Sequence, residues 1–79
     1  MEYFVYILKS LKNGYFYKGM TSNLNVRLVQ HDKGLTVGNK NLRPFELAFV
    51  QVCKSTVEAR TLEKYLKSGS GREIIQEII

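Results

Sequence analysis

The feature that most constrains this chain is a pair of β-forming segments joined by a strong turn signal. Residues 3–10 and 15–20 are rich in aromatic and β-branched residues, and Asn13-Gly14 lies between them. An Asn-Gly pair flanked by such segments is the strongest short-range signal for a β-hairpin. The sequence therefore predicts an antiparallel hairpin whose connecting loop is centred near Asn13-Gly14.

The predicted register sorts the hairpin side chains onto two faces. If the loop has an even number of residues, even-numbered positions of the first strand share a face with odd-numbered positions of the second. Three tyrosines then lie on one face. That face would carry Phe4, Tyr6, Leu8, Tyr15, Tyr17 and Gly19, and the other would carry Tyr3, Val5, Ile7, Phe16 and Met20.

A helix and a third strand are expected next. Thr21-Ser22-Asn23 offers capping side chains, apolar and polar residues follow at helical spacing as far as His31, and Gly34 is typical of a helix end. A polar loop spans residues 34–44. Residues 45–53 alternate as a strand does, except at 48–50, where we expect both faces of the strand to be partly covered.

Two helices are predicted to complete the chain, each opened by a capping-box pattern. Ser55 with Glu58 opens the first, and Ser70 with Glu73 opens the second. Apolar stripes follow. They comprise Ala59, Leu62 and Leu66 in the first helix and Ile74, Ile75, Ile78 and Ile79 in the second.

This order of elements, β-β-α-β-α-α, predicts an α+β fold. We expect a three-stranded antiparallel sheet with flanking helices packed against one face, forming a single domain over residues 1–79. A chain of this length buries only roughly 60% of the surface that its unfolded form exposes, so its core must be thin.

The charge of the chain favours a polyanionic partner. Twelve basic and seven acidic residues give a net charge of +5, and residues 1–52 hold seven of the basic residues but only three of the acidic ones. Such a surface attracts nucleic acid through counterion release. The sequence contains no signal segment and no membrane-length apolar run, and its lone Cys53 indicates a reducing compartment, hence the cytoplasm.

Several chemistries are excluded by the residues present. One histidine and one cysteine cannot supply a zinc site of the Cys/His type, and the sequence has neither a P-loop nor a G-x-S-x-G motif. A nucleophilic pair of Cys53 and His31 is disfavoured because Cys53 lies in an apolar strand. The remaining polar set comprises two tyrosines, an arginine, a histidine and a glutamate, which suits phosphodiester cleavage.

The spacing of this set resembles that of the GIY-YIG nucleases. Phe4-Val5-Tyr6 and Tyr17-Lys18-Gly19 resemble the two signature motifs, and Arg27 follows Gly19 at the position of the family's arginine. His31 lies where some members carry a histidine, and residues 58–63 resemble the family's metal-binding helix. The resemblance covers nearly the whole chain and is closest to the short stand-alone members, which are related to the nuclease domain of the bacterial excinuclease C subunit.

The resemblance implies a role for each of these residues. Tyr6 would activate or orient water with His31 as proton acceptor, while Tyr17 and Arg27 would hold the scissile phosphate. Glu63 would bind a single Mg²⁺ or Mn²⁺ ion; Glu58 is a weaker candidate because the capping box already occupies it. Three further positions would contact nucleic acid, most simply DNA, without reading bases. These are Gly19, Lys40 and Arg43.

Simpler interpretations stay open for the same residues. The tyrosines could be ordinary strand aromatics, Arg27 a solvated charge and His31 a surface residue near a helix end, and Glu63 could pair with Lys67. Phe4 replaces the name-giving glycine, and no asparagine follows Glu63 as it does in larger relatives. Stand-alone members tolerate that phenylalanine, but the missing asparagine and the expected absence of an appended targeting domain favour the first of two alternatives. The first is a nucleic-acid-binding module with weak or lost catalysis, and the second is a repair subunit that depends on a protein partner for targeting.

Overall fold

A computed structural model describes residues 2–35 and 40–78, and it confirms the predicted order of elements. The three strands form one antiparallel sheet in the order β2-β1-β3. The elements are β1 (Tyr3–Ser10), β2 (Phe16–Thr21), α1 (Leu24–Asp32), a 3-10 helix (Lys40–Leu42), β3 (Phe45–Cys53), α2 (Thr56–Lys67) and α3 (Gly69–Ile78). Within the described residues, no helix is both long and apolar enough to cross a membrane.

The register of the hairpin is the one that the sequence predicts. Tyr6 lies opposite Gly19 and Leu8 lies opposite Tyr17, so even positions of β1 share a face with odd positions of β2. We call this face, which carries Tyr6 and Tyr17, the tyrosine face. The opposite face of β1 carries Val5 and Ile7, and we call it the core face.

The hairpin loop is centred one residue earlier than predicted. Ser10 N donates to Tyr15 O at 2.8 Å, and Gly14 N donates to Ser10 O at the same distance. Gly14 has a φ of +78°, but Asn13 does not have a positive φ, so the Asn-Gly pair does not form the two-residue turn of which it is typical. The buried Ser10 side chain holds this four-residue loop, because its hydroxyl accepts from Lys12 N and donates to Leu42 O.

Helices α2 and α3 cover the core face. Ala59 and Leu66 of α2 and Ile75 of α3 are buried there against Val5 and Ile7, as the apolar stripes predict. Ile74 is an exception, because it points outward and is exposed. The side chains of Ile78 and Ile79 lie outside the described part of the chain.

The prediction that the helices pack on one face is wrong for α1. Its residue His31 contacts Tyr6, Tyr17 and Phe45, so α1 lies on the tyrosine face. The core therefore has two sides. A helix of nine residues cannot cover three strands, which leaves Leu47, Val50 and Val52 of β3 exposed on this face.

The irregular alternation of β3 comes from a β-bulge. Ile7 pairs with Phe49 while Leu8 pairs with Leu47, so Ala48 is an extra residue without a partner on β1. Ala48 and Phe49 both pack against the core. The bulge, rather than partial coverage alone, explains the break at residues 48–50.

Capping side chains set the helix bounds, with two changes from the prediction. Asn23 caps α1 and Ser55 caps α2, and Glu58 reaches back to the N–H of Lys54 rather than that of Ser55. The capping box at Ser70 is wrong. Ser68 takes that place, accepting from Gly71 N at 3.2 Å, and α3 starts directly after it.

Candidate active site

A hydrogen bond between Tyr6 and His31 lies at the centre of the tyrosine face. The Tyr6 hydroxyl is 2.8 Å from Nε2 of His31, and the two residues are only 2% and 1% exposed. β1 supplies the tyrosine from the middle strand, and the last turn of α1 supplies the histidine. The alternative that His31 is a surface residue is therefore wrong.

Two further rings fix the orientation of the imidazole. Tyr17 meets His31 edge-to-face with ring centroids 5.0 Å apart, and Phe45 does so at 6.0 Å. Edge-to-face packing of this kind stabilises a single ring orientation. Because Tyr17 is on β2 and Phe45 is on β3, each strand of the sheet contributes a ring to the histidine's surroundings.

Gly19 makes room for the Tyr6 hydroxyl. A Cβ added at Gly19 would lie 2.5 Å from Tyr6 Oη and 2.7 Å from Tyr6 Cζ. The space that a side chain at residue 19 would need is therefore already filled by Tyr6. The expected contact of Gly19 with nucleic acid stays a prediction.

The surroundings of Tyr6 keep its phenol protonated. Burial raises the pKa of Tyr6 well above its usual value of 10.0, the nearby Tyr17 and Glu63 raise it further, and Arg27 opposes them by lowering it. The same interactions show that Tyr17, Arg27 and Glu63 all lie close enough to act on this hydroxyl. Tyr6 and Tyr17 contact His31 directly, whereas Arg27 on α1 and Glu63 on α2 act on the Tyr6 hydroxyl through their charge.

Arg27 lies on α1 one turn before His31, and both side chains are on the same side of that helix. Arg27 is half-buried rather than fully solvated. Its guanidinium is the cation of this cluster that acts on Tyr6. An arginine so placed can bind two oxygens of one phosphate group through its planar fork.

Glu63 is a half-buried carboxylate on α2, with its side chain 18% exposed. Its Oε2 lies 3.7 Å from Nζ of Lys67, so the predicted i, i+4 pair is present. The ion pair is long and its lysine is largely exposed, so a stronger ligand for the carboxylate can displace it. Glu58, in contrast, is committed to capping α2.

A family model described as the GIY-YIG catalytic domain matches residues 2–75. The chain belongs to the GIY-YIG family. A solution NMR structure of the UPF0213 protein BH0048 from Bacillus halodurans is similar, with 32% identity and a TM-score of 0.61 over 99% of this chain and 83% of that one. A search of curated proteins found no match.

Two of the expected nucleic-acid contacts of this GIY-YIG chain belong to the segment before β3. Lys40 begins the 3-10 helix, and its side chain lies outside the described part of the structure. The Arg43 guanidinium packs over Gly34 and donates to Asp32 O at 3.3 Å. Arg43 therefore stands at the C-terminal end of α1, and its contact with nucleic acid stays a prediction.

The lone cysteine of this GIY-YIG chain lies apart from the tyrosine face. Cys53 is a free, buried thiol on the core face, whereas His31 covers the opposite face of the sheet. A pair of Cys53 and His31 is therefore ruled out by the sheet between them.

Sequence reasoning missed three basic residues beside the GIY-YIG tyrosines. Lys18, Lys67 and Arg72 line a cleft with Tyr15 and Tyr17 at the free edge of β2. Lys18 alternates onto the core face between Phe16 and Met20, where an apolar residue is the norm. That misplaced charge was the signal in the sequence, but the α2 and α3 partners could be found only from the packing.

Proposed function

We propose that this GIY-YIG domain is a metal-dependent endonuclease that cleaves phosphodiester bonds in DNA with low sequence specificity. The observation that carries the proposal is the hydrogen bond from Tyr6 to the buried His31, within a group that includes Tyr17, Arg27 and Glu63. Such a group offers proton transfer, phosphate binding and a metal ligand in one place. The family match over residues 2–75 supports the same reaction class.

Tyr6 and His31 would handle the proton of the attacking water. Because Tyr6 stays protonated, it can accept a proton from water only as it passes its own to His31. Nε2 of His31 is 2.8 Å from the hydroxyl, which is hydrogen-bonding distance for that transfer. His31 accepts the proton in the tautomer that carries its own proton on Nδ1.

Tyr17 and Arg27 would hold the scissile phosphate over this pair. Both are half-buried and lie near the Tyr6 hydroxyl, so they form the more open side of the group. The guanidinium would neutralise charge on the phosphorane oxygens, and the Tyr17 hydroxyl would donate to one of them. These contacts involve the backbone of the nucleic acid, which explains why we expect little sequence preference.

Glu63 would bind a single Mg²⁺ or Mn²⁺ ion. In the part of the chain that the structure describes, no three His, Cys, Asp or Glu side chains group together as a metal cage. A single carboxylate fits hydrated Mg²⁺, which binds through one or two carboxylates and the substrate phosphate while keeping several waters. When bound, the ion would neutralise charge on the leaving oxygen and the phosphate.

Plasmid cleavage with two variants tests the proposal. We expect supercoiled plasmid to be nicked with Mg²⁺ or Mn²⁺ but not with EDTA. Glu63→Gln removes the charge of the metal ligand, and Tyr6→Phe removes the hydroxyl; each should lower the rate at least about 100-fold. Branched DNA and single-stranded RNA, assayed beside the plasmid, define the substrate.

The controls separate chemistry from folding. Glu58→Gln makes the same change on the same helix at a residue that caps α2, so it should cost stability but leave cleavage intact. Circular dichroism would check that each variant is folded. Cleavage that survives in folded Glu63→Gln and Tyr6→Phe would contradict the proposal.

A second candidate is a nucleic-acid-binding or repair module that cleaves weakly or only with a partner. The 2% exposure of Tyr6 and the ion pair between Glu63 and Lys67 favour this candidate, because both limit access to the reacting groups. It predicts unchanged DNA affinity in EDTA and no nicking of bare plasmid. The free thiol of Cys53 fits a reducing compartment such as the cytoplasm for either function.

A further inference from the structure

A cationic cleft opens at the free edge of β2, beside the group just described. It has a volume of about 270 Å³ and is lined by three cations and two phenols. The cations come from three different elements, since Lys18 is on β2, Lys67 is on α2 and Arg72 is on α3. Tyr15 and Tyr17 complete the lining.

The cations in this cleft repel one another. Burial lowers the pKa of Lys18, and the charges of Arg72 and Lys67 lower it further. The Lys18 ammonium is 5.7 Å from the centre of the Tyr15 ring, a cation–π contact that offsets part of the cost. Like charges held together in this way are relieved when an anion binds among them.

The cleft is continuous with the proposed catalytic group. Tyr17 lines the cleft and also packs against His31, and Lys67 lies 3.7 Å from the carboxylate of Glu63. A strand of nucleic acid whose phosphate lies on Tyr17 and Arg27 would therefore continue across this edge. The exposed Tyr15 ring, 55% accessible, offers a stacking surface beside the cations, which suits a nucleotide better than an isolated phosphate ion.

We propose that the cleft formed by Lys18, Lys67 and Arg72 binds a second backbone phosphate of the nucleic acid, adjacent to the scissile one. This inference rests on the proposed function. It assigns Arg72 as the bidentate ligand of that phosphate and Lys18 as its second cation. Tyr15 stacks on the base of the nucleotide that carries this phosphate.

Binding measured without cleavage tests the cleft. The probe is a short fluorescein-labelled single-stranded DNA, and its fluorescence anisotropy is followed with the full chain in EDTA over a series of NaCl concentrations. Arg72→Gln should weaken binding about five- to tenfold at low salt and reduce the slope of log Kd against log[NaCl] by about 1. Lys18→Gln should act in the same direction.

Arg60→Gln is the matched control, because Arg60 is an exposed arginine on α2 that does not line the cleft. It removes the same charge and should change the affinity less than about twofold. Thermal unfolding would verify that both arginine variants are folded. Equal losses in Arg72→Gln and Arg60→Gln would overturn the assignment, as would displacement of the strand by inorganic phosphate at the concentration at which unlabelled strand displaces it.

The experiments distinguish a failure of the cleft proposal from a failure of the nuclease proposal. Glu63→Gln should bind the probe at least as tightly as the parent in EDTA, because it frees Lys67 of the cleft, and yet fail to cut plasmid with Mg²⁺. If Glu63→Gln cuts plasmid, the catalytic proposal fails, whatever Arg72→Gln does. If Arg72→Gln binds like Arg60→Gln while Glu63→Gln abolishes cutting, the nuclease stands and the cleft fails.

Discussion

Gly19 on β2 lies directly opposite Tyr6 on the neighbouring strand β1. The Tyr6 hydroxyl occupies the space that a side chain at residue 19 would fill. This arrangement links a backbone position to the chemistry of the site, because the hydroxyl must pass Gly19 to reach His31. A glycine here is needed for space rather than for φ, since Gly14 and Gly34 are the glycines with positive φ among the described residues.

Gly19→Ala should therefore damage both activity and stability. The added methyl would lie 2.5 Å from Tyr6 Oη, so the ring must move away from His31. We expect a cost of about 1–3 kcal/mol in the free energy of unfolding, measured with urea. A shift of about 1 Å in a reacting group can cost roughly 100-fold in rate, which the plasmid assay would detect.

Gly14→Ala is the comparison for that prediction. Gly14 has a φ of +78° and nothing within 4 Å of its added Cβ. The substitution should cost about 1–2 kcal/mol through backbone strain alone and leave the cleavage rate unchanged. If both variants lose stability and neither loses activity, Gly19 does not position the Tyr6 hydroxyl.

At the scale of elements, the sequence predicts well what local residues decide. The register of the hairpin, the bounds of β3 and the caps at Asn23 and Ser55 follow from alternation and from side chains that bond to nearby N–H groups. The set of Tyr6, Tyr17 and Arg27 was predicted from its resemblance to the GIY-YIG motifs. Their meeting with Glu63 on α2 depends on packing between elements that are distant in sequence.

The differences from prediction arise where tertiary contacts override a local pattern. Ser10 is buried and holds the hairpin loop against Leu42, which shifts the loop away from the Asn-Gly turn. The bulge at Ala48 lets neighbouring residues of β3 serve both faces. Ser68, rather than Ser70, caps α3 because Gly71 must lie against the end of α2.

The junction of α2 and α3 gives a prediction with an internal control. A Cβ at Gly71 would lie 2.6 Å from Leu66 Cα, and backbone cannot rotate out of the way as a side chain can. Gly71→Ala should cost about 3 kcal/mol or more, because the helices must separate. Gly69→Ala meets nothing within 4 Å and should stabilise the fold by about 0.5 kcal/mol.

Urea unfolding of the two variants measures the junction directly. Both make the same chemical change in the first turn of α3, so any difference between them reports the contact with α2. If Gly71→Ala is as stable as Gly69→Ala, the two helices do not pack as closely as described here. Because Leu66 and Ile75 are buried side by side with Val5 and Ile7, a loosened junction should also lower the unfolding cooperativity of the sheet.

At the scale of the whole molecule, the excess positive charge is not spread evenly. The chain carries a net charge of +5, and three of its cations meet at one edge of the sheet. A fold selected for stability alone would place an apolar residue where Lys18 lies between Phe16 and Met20. Natural proteins often accept such local costs at the sites they use.

Lys18→Gln should therefore stabilise the protein while lowering its affinity for nucleic acid. Because the folded state lowers the pKa of Lys18, the charged form is less favourable there than in the unfolded chain, and the full cost is present at any pH below the folded-state pKa. We expect the Tm to rise by roughly 2–4 °C at low salt and the gain to shrink as added salt screens Arg72 and Lys67.

Lys33→Gln, at the exposed end of α1, lowers the net charge equally and should leave Tm unchanged or slightly lower. Differential scanning calorimetry at two salt concentrations distinguishes these cases. Equal gains in both variants would mean that overall self-repulsion, not the cleft, is being relieved.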